Sequence, residues 1–68
     1  MTAPTEVGQT AYYRIGGVPR RGTVRAFWDG GRVATFWIDP YTDTAGRQHG
    51  GYEMPVPTAD LDTCPAVA

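Results

Sequence analysis

The sequence predicts an all-β chain: a small five-stranded barrel with a short 3-10 turn before its last strand. Three observations carry that prediction. Apolar residues recur at a period of two across Gln9–Ile15, Arg21–Trp28 and Arg32–Asp39. An Asp29-Gly30 pair separates the second and third of these runs, and a tight hairpin turn requires positive φ at its centre. No stretch of useful length carries the 3.6-residue apolar repeat of an amphipathic helix.

Residues 1–8 are small, polar and proline-containing, and read as a flexible N-terminal arm. In Gln9–Ile15, Ala11, Tyr13 and Ile15 share one face, with Thr10, Tyr12 and Arg14 on the other. Gly16-Gly17 ends this run and Pro19 keeps the following link extended. In Arg21–Trp28, simple alternation puts Gly22, Val24, Ala26 and Trp28 inside and Arg21, Thr23, Arg25 and Phe27 outside. Arg32–Asp39 offers two partly apolar faces, and Ala34, Phe36 and Ile38, the more aliphatic set, is assigned to the core. Residues 40–51 carry turn formers without an apolar period and predict one long loop. Tyr52–Val56 is a fourth strand, and Pro55, which cannot donate to a ladder, places it at an edge or a bulge. Pro57–Leu61 reads as a single helical or 3-10 turn capped by Thr58 with Leu61 inward. Asp62–Thr63 makes a brief fifth strand before a flexible tail over 64–68. The barrel thus spans residues 9–63, and its closure removes the two edges of an open sheet.

Composition bounds the function. At 68 residues the chain is one domain that buries only about 60% of its unfolded surface. No apolar run approaches the ~20 residues of a membrane span, so no membrane partner is expected. The N-terminal segment lacks the cationic start and apolar stretch of a signal peptide, and Cys64 has no second cysteine to pair with. A cytoplasmic protein with a reduced thiol is the expectation. Six Arg against seven acidic residues give a net charge of −1, which argues against a dedicated polyanion binder. The charge is uneven, however. Residues 1–25 hold four Arg against Glu6, a net +3, and residues 26–68 hold two Arg against six acids, a net −4. The all-Arg cation set, with abundant Ala, Gly and Pro, points to a GC-rich bacterial, phage or plasmid genome.

The candidate binding set is basic and aromatic. With the faces as assigned, Tyr12, Arg14, Arg25 and Phe27 project from one side of the sheet, and Arg20 and Arg21 sit at the mouth of the second strand. Trp37 joins them if the Val33/Thr35/Trp37 face is outward. Guanidinium groups beside rings stack on bases, receive peptide aromatics or hold phosphates. Eight aromatic residues also exceed what so small a core hides, and exposed rings are common at interfaces.

Catalytic patterns are absent. The chain contains no Ser, which excludes a Ser triad, and Cys64 and His49 fall in segments too loose to hold a nucleophile and its base. Asp39, Asp43 and His49 match neither an EF-hand nor a Cys/His zinc spacing, so no metal site is expected. No cofactor is expected either, since Gly16-Gly17 and Gly30-Gly31 precede strands rather than a helix, and no glycine-rich phosphate loop is formed.

The run Arg20–Ile38 (RRGTVRAFWDGGRVATFWI), a Gly8-Gln9 entry and the closing Val56–Leu61 (VPTADL) resemble the SH3-like barrels, the group that includes the KOW and Tudor-type modules. That resemblance implies a fold and a habit of binding, and no reaction. Gly51–Leu61 is also similar to a segment of the short plasmid-encoded dihydrofolate reductases, which implies a tetrameric pore enzyme. Glu53-Met54-Pro55-Val56 stands where that family carries Val-Gln-Ile-Tyr, and the family's cofactor-binding Lys has no counterpart here. The expected function is therefore a non-enzymatic binding module contacting nucleic acid or a protein through its Arg/aromatic strand face. The alternatives are a self-associating homo-oligomer, which remedies an undersized core, and after it the pore-type reductase.

Overall fold

A computed structural model describes residues 2–64. The chain is all-β, with strands β1 (Thr10–Ile15), β2 (Val18–Trp28), β3 (Val33–Ile38), β4 (Tyr41–Thr42), β5 (Gln48–His49), β6 (Tyr52–Pro57) and β7 (Leu61–Asp62). Five of them form one antiparallel sheet in the order β6-β3-β2-β1-β7, and β4 and β5 form a separate two-stranded ribbon. The main sheet is open, with β6 at one edge and β7 at the other. Among the described residues no helix is long and apolar enough to cross a membrane.

The first hairpin is tighter than the sequence suggests. Ile15 pairs with Val18 across Gly16-Gly17 alone, and both glycines have positive φ (60° and 81°), the geometry whose twist matches that of the flanking strands. Strand β2 therefore begins at Val18, and Pro19 lies inside it opposite Arg14. The second hairpin forms at Asp29-Gly30 as expected, but its turn takes four residues, 29–32, closed by the Arg32 N–H on the Asp29 carbonyl at 3.2 Å.

Residues 40–51, expected to be one loop, fold into the β4–β5 ribbon. Asp43 closes it: its Oδ1 accepts the N–H groups of Ala45 and Arg47, each at 2.9 Å, and its N–H donates to the Arg47 carbonyl at 2.9 Å. The missed signal is short-range, an Asp whose side chain replaces a backbone acceptor in a turn, followed by Gly46. The 3-10 turn before the last strand forms over Thr58–Asp60. Thr58 does not cap it. Its side chain is buried, its Oγ1 has no partner among the described residues, and its N–H donates to the Arg32 carbonyl at 2.9 Å.

The core is one cluster of seven buried side chains: Ala11, Val24, Ala34, Phe36, Ile38, Val56 and Leu61. Tyr13, Ile15, Phe27, Tyr41 and Met54 pack around it. The inward face of β3 is thus Ala34/Phe36/Ile38, as the sequence assigns it. Gly22 lies under Phe36, where a Cβ would come within 2.5 Å of the ring's Cζ and collide with the Trp37 carbonyl oxygen. Residues 2–9 are hydrogen bonded to the sheet at both ends: Thr63 N–H donates to the Thr2 carbonyl at 2.8 Å, Gly8 N–H to the Val24 carbonyl at 2.7 Å, and Pro4 is buried. Of the expected tail, Cys64 is exposed and residues 65–68 lie outside the described residues.

Candidate functional site

The outer face of the sheet is set by one irregularity. Pairing between β2 and β3 runs Gly22 with Ile38, Thr23 with Trp37 and Val24 with Phe36, then skips Arg25 and resumes with Ala26 opposite Thr35. Arg25 is the extra residue of a β-bulge. A bulge breaks the two-residue alternation, so every side chain beyond it changes face. Phe27 consequently pairs with Ala34 and packs against the core, rather than projecting outward beside Arg25. Trp28, expected inside, pairs with Val33 on the outer face and is 59% exposed. Its indole Nε1–H donates to Thr35 Oγ1 at 2.6 Å, which fixes the ring across the neighbouring strand.

The face so built has three rows across β2, β3 and β6. Thr23, Trp37 and Glu53 form the first, Ala26, Thr35 and Pro55 the second, and Trp28, Val33 and Pro57 the third. The Arg25 guanidinium reaches over the Trp37 ring, 5.5 Å from its centroid, within cation–π range. Arg25 and Glu53 therefore flank Trp37 from opposite sides, and neither has an ion-pair partner among the described residues. Farther along, Tyr12 lies outward between Arg21 and Asp62.

The other predicted residues divide. Arg14 is outward, and its Nη1 donates to the Gly17 carbonyl at 2.9 Å. Arg21 is outward but engaged: its Nε donates to Asp39 Oδ2 at 2.9 Å. Arg20 faces the opposite side of the sheet, where its guanidinium lies 3.9 Å over the Tyr41 ring and its Nε is shielded without an acceptor among the described residues. Tyr12, Arg14, Arg21, Arg25 and Trp37 thus share a face that Arg20 and Phe27 do not. Sequence reasoning missed Trp28, because its outward position depends on the bulge.

A second cluster sits on the ribbon. Tyr41 stacks on His49, with centroids 5.2 Å apart and planes 19° apart, and His49 Nε2 lies 2.7 Å from Asp43 Oδ2. That hydrogen bond, followed by the Arg47 N–H, holds the Asp43 carboxyl below its ordinary pKa of 3.8. An open depression of about 530 Å³ lies here, lined by Pro40, Tyr41, Thr42, Gln48, His49 and Gly50. Asp39, the third member of the acidic and histidine set considered for a metal, is turned to Arg21. Among the described residues no three His, Cys, Asp or Glu side chains converge.

Comparison with known proteins finds no similarity to report: no protein-family model, no curated protein and no solved structure matches this chain.

Proposed function

We propose that this protein is a non-enzymatic protein-interaction module that docks its partner on the outer face of the sheet. The observation that carries the reading is the strip of Trp28, Arg25 and Trp37, turned to one side by the bulge and held there by the Thr35 hydrogen bond. Tryptophan and arginine are the residues on which binding energy concentrates at protein interfaces. The edges favour the face as the docking surface. In β6 the N–H groups of Tyr52, Met54 and Val56 turn toward β3, so residues 53, 55 and 57 point to the open side. Two of those three are proline, and Glu53 offers the one N–H donor among them.

Charge favours protein over nucleic acid. Of the arginines on this face, Arg21 is held by Asp39 and Arg14 by a carbonyl, while Glu53 and Asp62 add negative charge beside the rings. Tight polynucleotide binding requires several phosphates to be neutralised at once. We further read the sheet as an SH3-like barrel left open at its seam. The supporting features are the four-strand meander, the 3-10 turn at Thr58–Asp60 and the return of β7 to β1.

Panning a phage-displayed random peptide library against the protein, alongside anisotropy titrations with labelled single- and double-stranded oligonucleotides, tests the reading. Peptides should be captured and lost by about tenfold or more on Trp28→Ala or Arg25→Ala. Salt-dependent oligonucleotide binding that Arg25→Ala weakens, with no peptide capture, would overturn it.

A further inference from the structure

We infer that the partner this face fits is a second copy of the chain, paired about a two-fold axis running along β3; the inference rests on the docking face proposed above. In a face-to-face dimer the two-fold axis lies in the plane of contact, and the same patch meets itself. An axis parallel to β3 over Trp37 exchanges the β2 side of the face with the β6 side. Arg25 of one copy then meets Glu53 of the other, twice, and the two Trp37 rings meet at the centre. In the third row the same operation sets Trp28 against Pro57, a flat indole on a proline ring, and Ala26 against Pro55 in the second.

The charge pattern also selects this axis over its alternative. A two-fold perpendicular to β3 would set Arg25 against Arg25 and Glu53 against Glu53, and like charges at an interface disfavour the pairing. Two ionisable side chains without an ion-pair partner among the described residues of one copy thus find each other in the pair. Stacked sheets lie about 10 Å apart, a gap that opposed side chains fill. The need is also present: among the described residues the core cluster holds only seven buried side chains, and the lone Cys64 supplies no internal disulfide.

Charge reversal tests the arrangement. Light scattering and sedimentation should show the wild-type chain of 7.4 kDa rising toward twice its mass through the micromolar range. Arg25→Glu and Glu53→Arg should each be monomeric, because each places like charges at both contacts. An equimolar mixture of the two should form a heterodimer, since one copy then carries two acids and the other two arginines. The double variant Arg25→Glu/Glu53→Arg should dimerise again. Recovery in the mixture also establishes that both single variants fold. A wild-type monomer throughout, single variants that still dimerise, or a mixture that stays monomeric each overturns the inference. If the monomer captures peptides through Trp28 and Arg25, the docking face stands and only self-pairing fails. If it captures none, both fail.

Discussion

Replacing Phe27 and Trp28 by alanine, one at a time, separates the bulged face assignment from simple alternation. Phe27 lies opposite Ala34 and packs on the core, so Phe27→Ala leaves a partial cavity. Full burial would cost about 3–5 kcal/mol, and the partial burial of this ring brings the figure to about 2 kcal/mol. For a domain of this size that is a fall of roughly 8–16 °C in Tm. Trp28 is the larger ring but is 59% exposed, and its loss removes one surface hydrogen bond to Thr35. Trp28→Ala should cost under about 1 kcal/mol. Thermal melts followed by circular dichroism make the comparison, at protein concentrations low enough that self-association adds nothing to Tm. If Trp28→Ala destabilises more than Phe27→Ala, the faces beyond Arg25 follow unbroken alternation and the reasoning fails.

Two further perturbations probe the rest of the fold. Gly22→Ala drives a methyl against the Phe36 ring and the Trp37 carbonyl, and should cost about 1–3 kcal/mol by denaturant titration; a neutral result would mean that β2 and β3 lie farther apart at that point. The carboxyls of Asp43 and Asp62 are held below their ordinary pKa of 3.8, the first by His49 and the second by the Cys64 and Thr2 N–H groups. A group depressed on folding stabilises the native state above its unfolded pKa and loses that effect as pH falls through the folded value. Stability should therefore decline below about pH 4, less steeply in Asp43→Asn, and a denaturation midpoint unchanged down to pH 2 would contradict the assignment.

Much of the fold is legible in the chain because its signals are local. Alternation in Gln9–Ile15 assigns Tyr13 and Ile15 to the core and Tyr12 and Arg14 to the outside, as the structure has them. Pro55 restricts β6 to an edge or a bulge, and the strand lies at an edge. What was not legible depends on partners distant in sequence. The bulge at Arg25 exists only in the register between β2 and β3, and nothing in RGTVRAFW alone distinguishes a continuous strand from one that changes face midway. That single residue moved Phe27 off the candidate site and Trp28 onto it. Arg20 left the site because the tight Gly16-Gly17 turn starts β2 at Val18, so Arg20 pairs with Tyr13 on the face opposite Arg21 and meets the Tyr41 ring there. That β6 and β7 stay apart as the two edges of an open sheet is a long-range property as well, and five short strands do not specify closure.

The bulge at Arg25 turns Trp28 outward to lie with Trp37 and turns Phe27 into the core. Proton–proton contacts in a nuclear Overhauser spectrum test it most directly. The account predicts contacts from the Phe27 ring to the Ala34 methyl, and from the Trp28 indole N–H to Thr35 on the outer face. Contacts from the Trp28 indole to Ala34 or Phe36, with the Phe27 ring free of both, would contradict it.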